Sequence, residues 1–326
     1  MILFSVVIPL YNKRDYIQRA VGSVLSQTWQ NFEVIVVDDG STDGSAEVIE
    51  CLGRRVRVVW QANAGEGAAR NAGIFEAHHD WVAFLDADDA WYPDHLEELD
   101  RIRRNFPDCD VIATDHLHSQ SSDSLPRRPL RGKSIKKIDY FDAAADNVGI
   151  VCASSIAVRK HIFQKAGGFS AARMGADLEC WARLALECDF AVSTRVTAVH
   201  FRGTGGAMES SPDTSGPERT SATLKEVSPT VATLMERYPL LDEATKVSVD
   251  SYINARISSS VKAALFAGRV TDARCFVQLY RRRRRLSEQL LSSVVRLPVP
   301  ILRLSLAMRA RLKHMKVYGL NGTSRK

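Results

Sequence analysis

The sequence contains no apolar run of about 18 residues, the length a membrane-crossing helix needs, so no transmembrane helix is expected. Its six cysteines, at 51, 109, 152, 180, 188 and 275, include no C-x-x-C pair and no histidine at finger spacing. A structural zinc site is therefore not expected. A chain of 326 residues does not need disulfide staples, and reduced, buried thiols are the expectation. The apolar start, Met1 to Leu10, lacks a basic leader and a cleavage site and does not read as a secretory signal. These absences together predict a cytoplasmic protein. No internal repeat is visible.

What is present is an ordinary globular composition, 45% apolar and 25% charged, which excludes a mainly disordered or collagen-like chain. The formal charge of +6 is unevenly placed. Between Arg281 and Lys316 there are eleven Lys/Arg against one acidic residue, Glu288, a local net of +10 that leaves about −4 for the rest. Any anionic partner belongs to the C-terminal end.

The first hundred residues alternate strands and helices. Strands are predicted over Phe4–Leu10, Phe32–Val37, Val56–Trp60 and Trp81–Leu85; helices over Asp15–Gln27, Ser45–Leu52, Gly67–Ala77 and Pro93–Arg104. In the first helix Ile17, Val21, Val24 and Leu25 share a face. This pattern predicts an α/β fold with a mostly parallel central sheet and helices on both faces, Rossmann-like, followed by a mainly helical C-terminal region. Residues 118–136 read as a loop, apolar segments resume over 148–158, and Asp177–Cys188 and Ala191–Phe201 read as helix and strand. The Gly/Ser/Pro-rich stretch from Arg202 to Glu218 marks a boundary. The expected organisation is a domain over 1–205, with halves 1–110 and 111–205, and a helical, basic region over 206–326.

Ligands of such sheets bind outside the carboxyl ends of the strands. Three of those ends carry Tyr11-Asn12, Asp38-Asp39-Gly40 and Asp86-Ala87-Asp88. Asp86 and Asp88 flank one residue in a tight turn, and paired carboxylates suit a hard divalent cation that is shared with a phosphate. The alternative is an acidic turn that caps the next helix.

The series Ser5-Val-Val-Ile-Pro-Leu-Tyr-Asn12, Val37-Asp-Asp-Gly-Ser-Thr-Asp43, Asn63-Ala-Gly65, Ala69-Arg-Asn71 with Gly73, and Phe84-Leu-Asp-Ala-Asp-Asp89 resembles the nucleotide-sugar half of a family 2 glycosyltransferase. That family is inverting, has the A-type nucleotide-binding fold and serves bacterial cell-surface polysaccharide synthesis. The resemblance is dense over residues 3–110 and thinner over 148–205. It implies that Pro9 and Tyr11 wall a pyrimidine, with Tyr11 stacked on its face and Asn12 and Ala87 in the same nucleotide-sugar site. It also implies that Asp39 accepts from the uracil imide N–H, that Arg70 lies beside the pyrophosphate, that Asp86 contacts ribose or the metal's surroundings, and that Asp88 coordinates Mn²⁺ or Mg²⁺. An aromatic plane can stack on any base, and a carboxylate can accept only from a protonated ring nitrogen.

The segment Gly167-Gly-Phe169 followed by Gly175-Ala-Asp177-Leu-Glu179 resembles the family's acceptor side, where Asp177 matches the general base. Ala176 stands where the family usually has Glu, and Glu179 is the fallback base. Trp181 is read as acceptor-pocket wall or core, and His200 or Arg202 as a diphosphate contact or a structural residue. The resemblance implies transfer of a hexosyl or N-acetylhexosaminyl group from a UDP-sugar to a saccharide or lipid-linked acceptor. The alternatives are a nucleotidyltransferase, which Tyr11-Asn12-Lys13-Arg14 without a glycine-rich loop disfavours, and a catalytically degenerate scaffold. Between 297 and 317, apolar residues at 301, 304, 308, 312 and 315 share a face with interspersed Arg and Lys. That pattern predicts peripheral contact with an anionic membrane, at its cytoplasmic face, or packing on protein. The stretch lacks interleaved aromatics, so no nucleic-acid partner is expected.

Overall fold

The computed structural model describes residues 4–50, 55–120, 124–129, 132, 134–171, 175–205, 222–223, 227–281 and 285–297. β1 (Phe4–Leu10) is buried along its whole length, as a continuous β-branched run in a doubly covered sheet should be. α1 (Arg14–Leu25) turns Ile17, Ala20, Val21 and Val24 inward at helical spacing. β2 (Phe32–Asp38), α2 (Ser45–Glu50), β3 (Val56–Trp60), α3 (Glu66–Glu76) and β4 (Trp81–Phe84) complete the alternation, and β2–β1, β3–β2 and β4–β1 all pair parallel. Close packing of α3 on β1 depends on Gly73, where a Cβ would come within 2.3 Å of Val7 Cγ1.

β5 (Ala90–Trp91) and α4 (His95–Asn105) follow the acidic turn. The second half is mixed rather than parallel. β6 (Val111–Gln120), β7 (Ile135–Ile138), α5 (Tyr140–Asp146), β8 (Ile156–Arg159), α6 (Ile162–Ala166), α7 (Ala176–Ala185) and β9 (Phe190–Arg202) finish the sheet, in the order β3-β2-β1-β4-β8-β6-β9-β5 with β7 on β9. β8 is antiparallel to β4 and β6, β9 is parallel to β6, and β5 and β7 pair antiparallel with β9. The 118–136 loop expectation is corrected at both ends. β6 runs on to Gln120 because it pairs with β9 through Arg202, and β7 begins at Ile135.

The chain divides into two compact units, 1–211 and 212–326. In the second, α8 (Pro229–Arg237), α9 (Glu243–Phe266), α10 (Val270–Val277) and α11 (Leu286–Val295) are all helical. Ser228 and Asp242 cap α8 and α9 by accepting from Val231 N and Thr245 N. The amphipathic 297–317 segment lies, apart from Leu297, outside the described residues.

Candidate active site

The strand ends predicted from sequence do converge. The first link is between backbones: Asp39 N donates to Leu10 O at 2.8 Å. Beyond it Tyr11 is half exposed, and Asn12 adopts a left-handed φ of 50°. Asn12 N donates to Ser41 Oγ at 3.0 Å and its Oδ1 accepts from Thr42 N at 2.8 Å, so the first two strand tips are latched together.

Asp38 and Asp39 are both buried. Asp38 Oδ1 accepts from Ser41 N at 2.8 Å, while its buried Oδ2 has no partner among the described residues. Asp39 Oδ1 accepts from Gln61 Nε2 at 2.7 Å and Ala64 N at 2.8 Å; Oδ2 accepts from Gly65 N at 2.8 Å. Asp39 thus holds the 61–65 segment, which leads into α3, and one lone pair on Oδ2 remains for a ligand.

The acidic turn is an array of ion pairs. Asp86 Oδ1 takes Arg70 Nη2 at 2.6 Å, and the same nitrogen reaches Glu66 Oε1 at 2.6 Å. Arg70 is buried rather than a surface cation, and it lies over the Phe169 ring at 5.2 Å. Asp88 Oδ2 takes Lys13 Nζ at 2.8 Å and Thr204 Oγ1 at 2.7 Å, and Lys13 also donates to Thr204 O at 2.8 Å. Ala87 is buried between them. Asp89 is fully buried; it accepts from Ser154 Oγ at 2.5 Å, from Phe201 N at 2.9 Å and from His200 Nδ1 at 3.1 Å. Burial raises the Asp89 carboxyl to about 6, and the Asp89 hydrogen bond raises the His200 imidazole to about 9. Cys152 offers its sulfur within 4.8 Å of ligand atoms of Asp89 and His200, and burial holds that thiol well above the usual range.

Asp177 occupies the first turn of α7, entered through Gly175 at a φ of 74°. Its charge acts on Arg70, Glu66 and Cys152, three groups that the charge of Asp86 also reaches. Arg70 pulls the Glu66 carboxyl down, yet desolvation and the charges of Asp86, Asp177 and Asp88 outweigh it and leave Glu66 raised. Asn71 pins the Gly167-Gly168-Phe169 turn to α3, donating to Phe169 O at 2.9 Å and accepting from Phe169 N at 2.7 Å.

Two residues leave the candidate list. Glu179 is buried and bound in two places by Arg183, Nε to Oε1 at 2.7 Å and Nη2 to Oε2 at 2.9 Å, so it is no free base. Trp181 is core, fully buried with its ring 5.4 Å from Phe169 and 6.3 Å from Phe84. His200 pairs with Asp89, and Arg202 ends β9 on the exposed side. Lys13, Ser154 and Thr204 were missed. Lys13 directly follows the first strand tip and could have been found there; the partners of Ser154 and Thr204 lie 65 and 116 residues away in sequence.

Comparison with known proteins agrees with this geometry. The family model described as "Glycosyl transferase family 2" matches residues 5–167. An uncharacterised glycosyltransferase of Nostoc sp. is 45% identical over 116 residues, 34% of this chain and 35% of that protein. A putative teichuronic acid biosynthesis glycosyltransferase of Bacillus subtilis, TuaG, is 45% identical over 100 residues, 29% of this chain and 40% of its own length. The chain thus spans about a third of the length of the curated relatives it matches. The crystal structure of S. aureus TarS 1–349 in complex with UDP-GlcNAc superposes with a TM-score of 0.65 at 18% identity, covering 98% of this chain and 92% of that one. That likeness establishes the A-type glycosyltransferase fold. By its matched half and its fold, the chain belongs to glycosyl transferase family 2.

Proposed function

We propose that the protein is an inverting glycosyltransferase that moves a sugar from a UDP-sugar to a hydroxyl of a saccharide or lipid-linked acceptor in cell-surface polysaccharide synthesis. The carrying observation is a chain of contacts at the strand ends: Asp39 holds Gly65 at the start of α3, Arg70 of α3 pairs with Asp86, and Asp88 of the same turn pairs with Lys13 beside the first strand tip. TarS, of like fold, has been solved with UDP-GlcNAc and with UDP, which supports a uridine nucleotide donor. The identity to TuaG supports the polysaccharide role.

In this reading Tyr11, half exposed beside Pro9, stacks on the base, and the free lone pair of Asp39 Oδ2 accepts from the imide N–H. Asn12 holds that strand tip in place, and Ala87 spaces the two turn carboxylates. Asp88 Oδ1 and Asp86 Oδ2 have no partner among the described residues, and hard carboxylate oxygens at a turn fit Mn²⁺ or Mg²⁺. The neighbouring Asp89, Cys152 and His200 set fits less well, because His200 Nδ1 is already engaged by Asp89 and burial disfavours the Cys152 thiolate that a metal would need. A bound divalent ion supplies stabilisation of the charge growing on the leaving diphosphate.

Asp177 takes the proton of the acceptor hydroxyl as that oxygen bonds to the sugar C1 on the face opposite the departing UDP. The C1–O bond to the diphosphate breaks with its electrons going to UDP, and configuration inverts. Arg70, fixed by Glu66 and Asp86, holds the Asp86 side chain in place and brings a positive charge beside the diphosphate.

Titration calorimetry of UDP with Mn²⁺ tests the reading. Asp88→Asn, checked for folding by its melting temperature, should weaken Mn²⁺-dependent UDP binding by roughly tenfold or more. Unchanged affinity in the folded variant overturns the nucleotide-sugar assignment.

A further inference from the structure

α11 is built inside out. Glu288, Ser292 and Val295 point inward and are buried, with Glu288 Oε2 accepting from Arg285 N at 2.9 Å and Ser292 Oγ donating to Glu288 O at 2.8 Å. Facing away are Leu286, Leu290, Val294 and Leu297, which are 72%, 59%, 40% and 39% exposed. Their spacing of four, four and three residues puts them on a single stripe along the helix. Ordinary helix amphipathicity would place these residues on the buried side.

The charges around the stripe are equally out of place. The sequence from Arg281 to Leu297 carries six arginines and one acid, and that acid, Glu288, is buried. Arginines 281–285 precede the N-terminus of α11, the end where a helix dipole disfavours cations. At the other end Arg274 donates to Val295 O at 3.3 Å and Leu297 O at 2.9 Å, with Arg296 exposed beside it. Arg274 thus serves the C-terminus of the helix and Arg281 is taken up by Asp250 at 2.7 Å, but the run at the N-terminal end opposes the helix dipole, and Arg285 and Arg296 are exposed.

We infer that the outward face of α11 is a docking surface for an anionic lipid bilayer, with the leucine stripe entering the headgroup boundary and the flanking arginines meeting lipid phosphates. The charge favours this occupant: a patch with no exposed acid on its helix complements a negative leaflet, whereas a second copy would bring the same positive charge against it. The area agrees. Four partly exposed side chains offer on the order of a few hundred Å², below the roughly 800 Å² per partner of a stable protein dimer. A narrow apolar stripe with a basic border is instead the pattern of a helix lying in a membrane interface. The face belongs to residues 286–297 and is independent of the nucleotide-sugar site, so either assignment can fail alone.

The test is co-sedimentation of the full chain with phosphatidylcholine vesicles, with and without phosphatidylglycerol. Binding to the anionic vesicles is expected to exceed binding to neutral ones by roughly tenfold at about 0.1 M salt and to fall steeply at about 0.5 M. Leu286→Ser with Leu290→Ser should remove most of that binding while leaving the circular dichroism melt and UDP titration unchanged, since both side chains are exposed. Three results overturn the proposal: equal binding to both vesicle types, full binding by the double variant, or a sedimentation-velocity dimer of the parent chain that the double variant dissociates.

Discussion

The Asp89–His200 pair makes folding stability depend on pH in a window that few other groups share. His200 is raised from 6.5 to about 9 in the fold, mainly by its hydrogen bond to Asp89. The folded chain therefore binds this proton more tightly than the unfolded one, and linkage makes the contribution complete below 6.5 and lost as pH rises towards 9. A shift of that size is worth about 3 kcal/mol in full, of which about 2 kcal/mol disappears between pH 6.5 and 8.5. Asp89 is raised to about 6, so its own contribution is lost between 3.8 and 6, below the window. His95, lowered to about 3 by burial, and His118, lowered chiefly by burial, add stability as pH rises and are complete by 6.5. The buried thiols of Cys180 and Cys188, raised to about 12, lose their contribution only above about 9. Urea unfolding in the presence of a chelator, followed at pH 6.5, 7.5 and 8.5, should show the midpoint falling by about 1 M across the series. His200→Gln should start lower at pH 6.5 and lose the slope. A flat wild-type profile, or a variant that keeps the slope, refutes the ion pair.

Asp177→Asn should cut turnover roughly 10²–10⁴-fold in a sugar-transfer assay while UDP affinity by calorimetry stays within about twofold, because a base acts on the acceptor and not on the donor. UDP should bind more tightly than CDP by about 1–3 kcal/mol, since the N3 of cytosine offers Asp39 no proton; equal affinities remove Asp39 from base reading. Two glycines should move stability in opposite directions in urea titrations. Gly73→Ala forces a Cβ to within 2.3 Å of Val7 Cγ1 in the central sheet and should cost about 1–3 kcal/mol. Gly22→Ala meets nothing within 4 Å in the interior of α1 and should gain about 0.5–1 kcal/mol.

How much was legible follows from where each residue's partners lie. β1, β2 and β4 could be read because mostly buried strands are nearly continuous apolar runs, and their polar tips marked the site edge; β3, buried only at Val56, showed through its three valines. β6 could not. Val-Ile-Ala-Thr-Asp-His-Leu-His-Ser-Gln is buried only over its first four residues, and the exposed remainder is held by pairing to β9 rather than by its own composition. Glu179 was a readable error, since Arg183 stands one helical turn later and claims both its oxygens. Asp39 was partly readable: its position showed, but its grip on Ala64 and Gly65 is tertiary. Lys13 and Thr204 meet across 191 residues, and no local pattern announces that contact.

Those long-range contacts change how the acidic turn works. Asp86, Asp88 and Asp89 share one turn, and each carboxylate has its own basic partner: Arg70, Lys13 and His200. The three cations differ in how firmly they are held. Arg70 is buried between two carboxylates and His200 is fixed on β9, but Lys13 is a flexible ammonium whose side chain is 17% exposed. An ammonium on four methylenes can leave at little cost, whereas a buried guanidinium cannot. On the proposed function, Asp88 is therefore the carboxylate freer to exchange partners, and with Asp86 it would hold a divalent cation that stabilises the leaving diphosphate. Lys13, beside Asp88, would offer the diphosphate a positive charge. Asp86, still locked to Arg70, keeps the turn in place throughout. The order of readiness within the Asp-x-Asp pair thus follows from how firmly each partner is held.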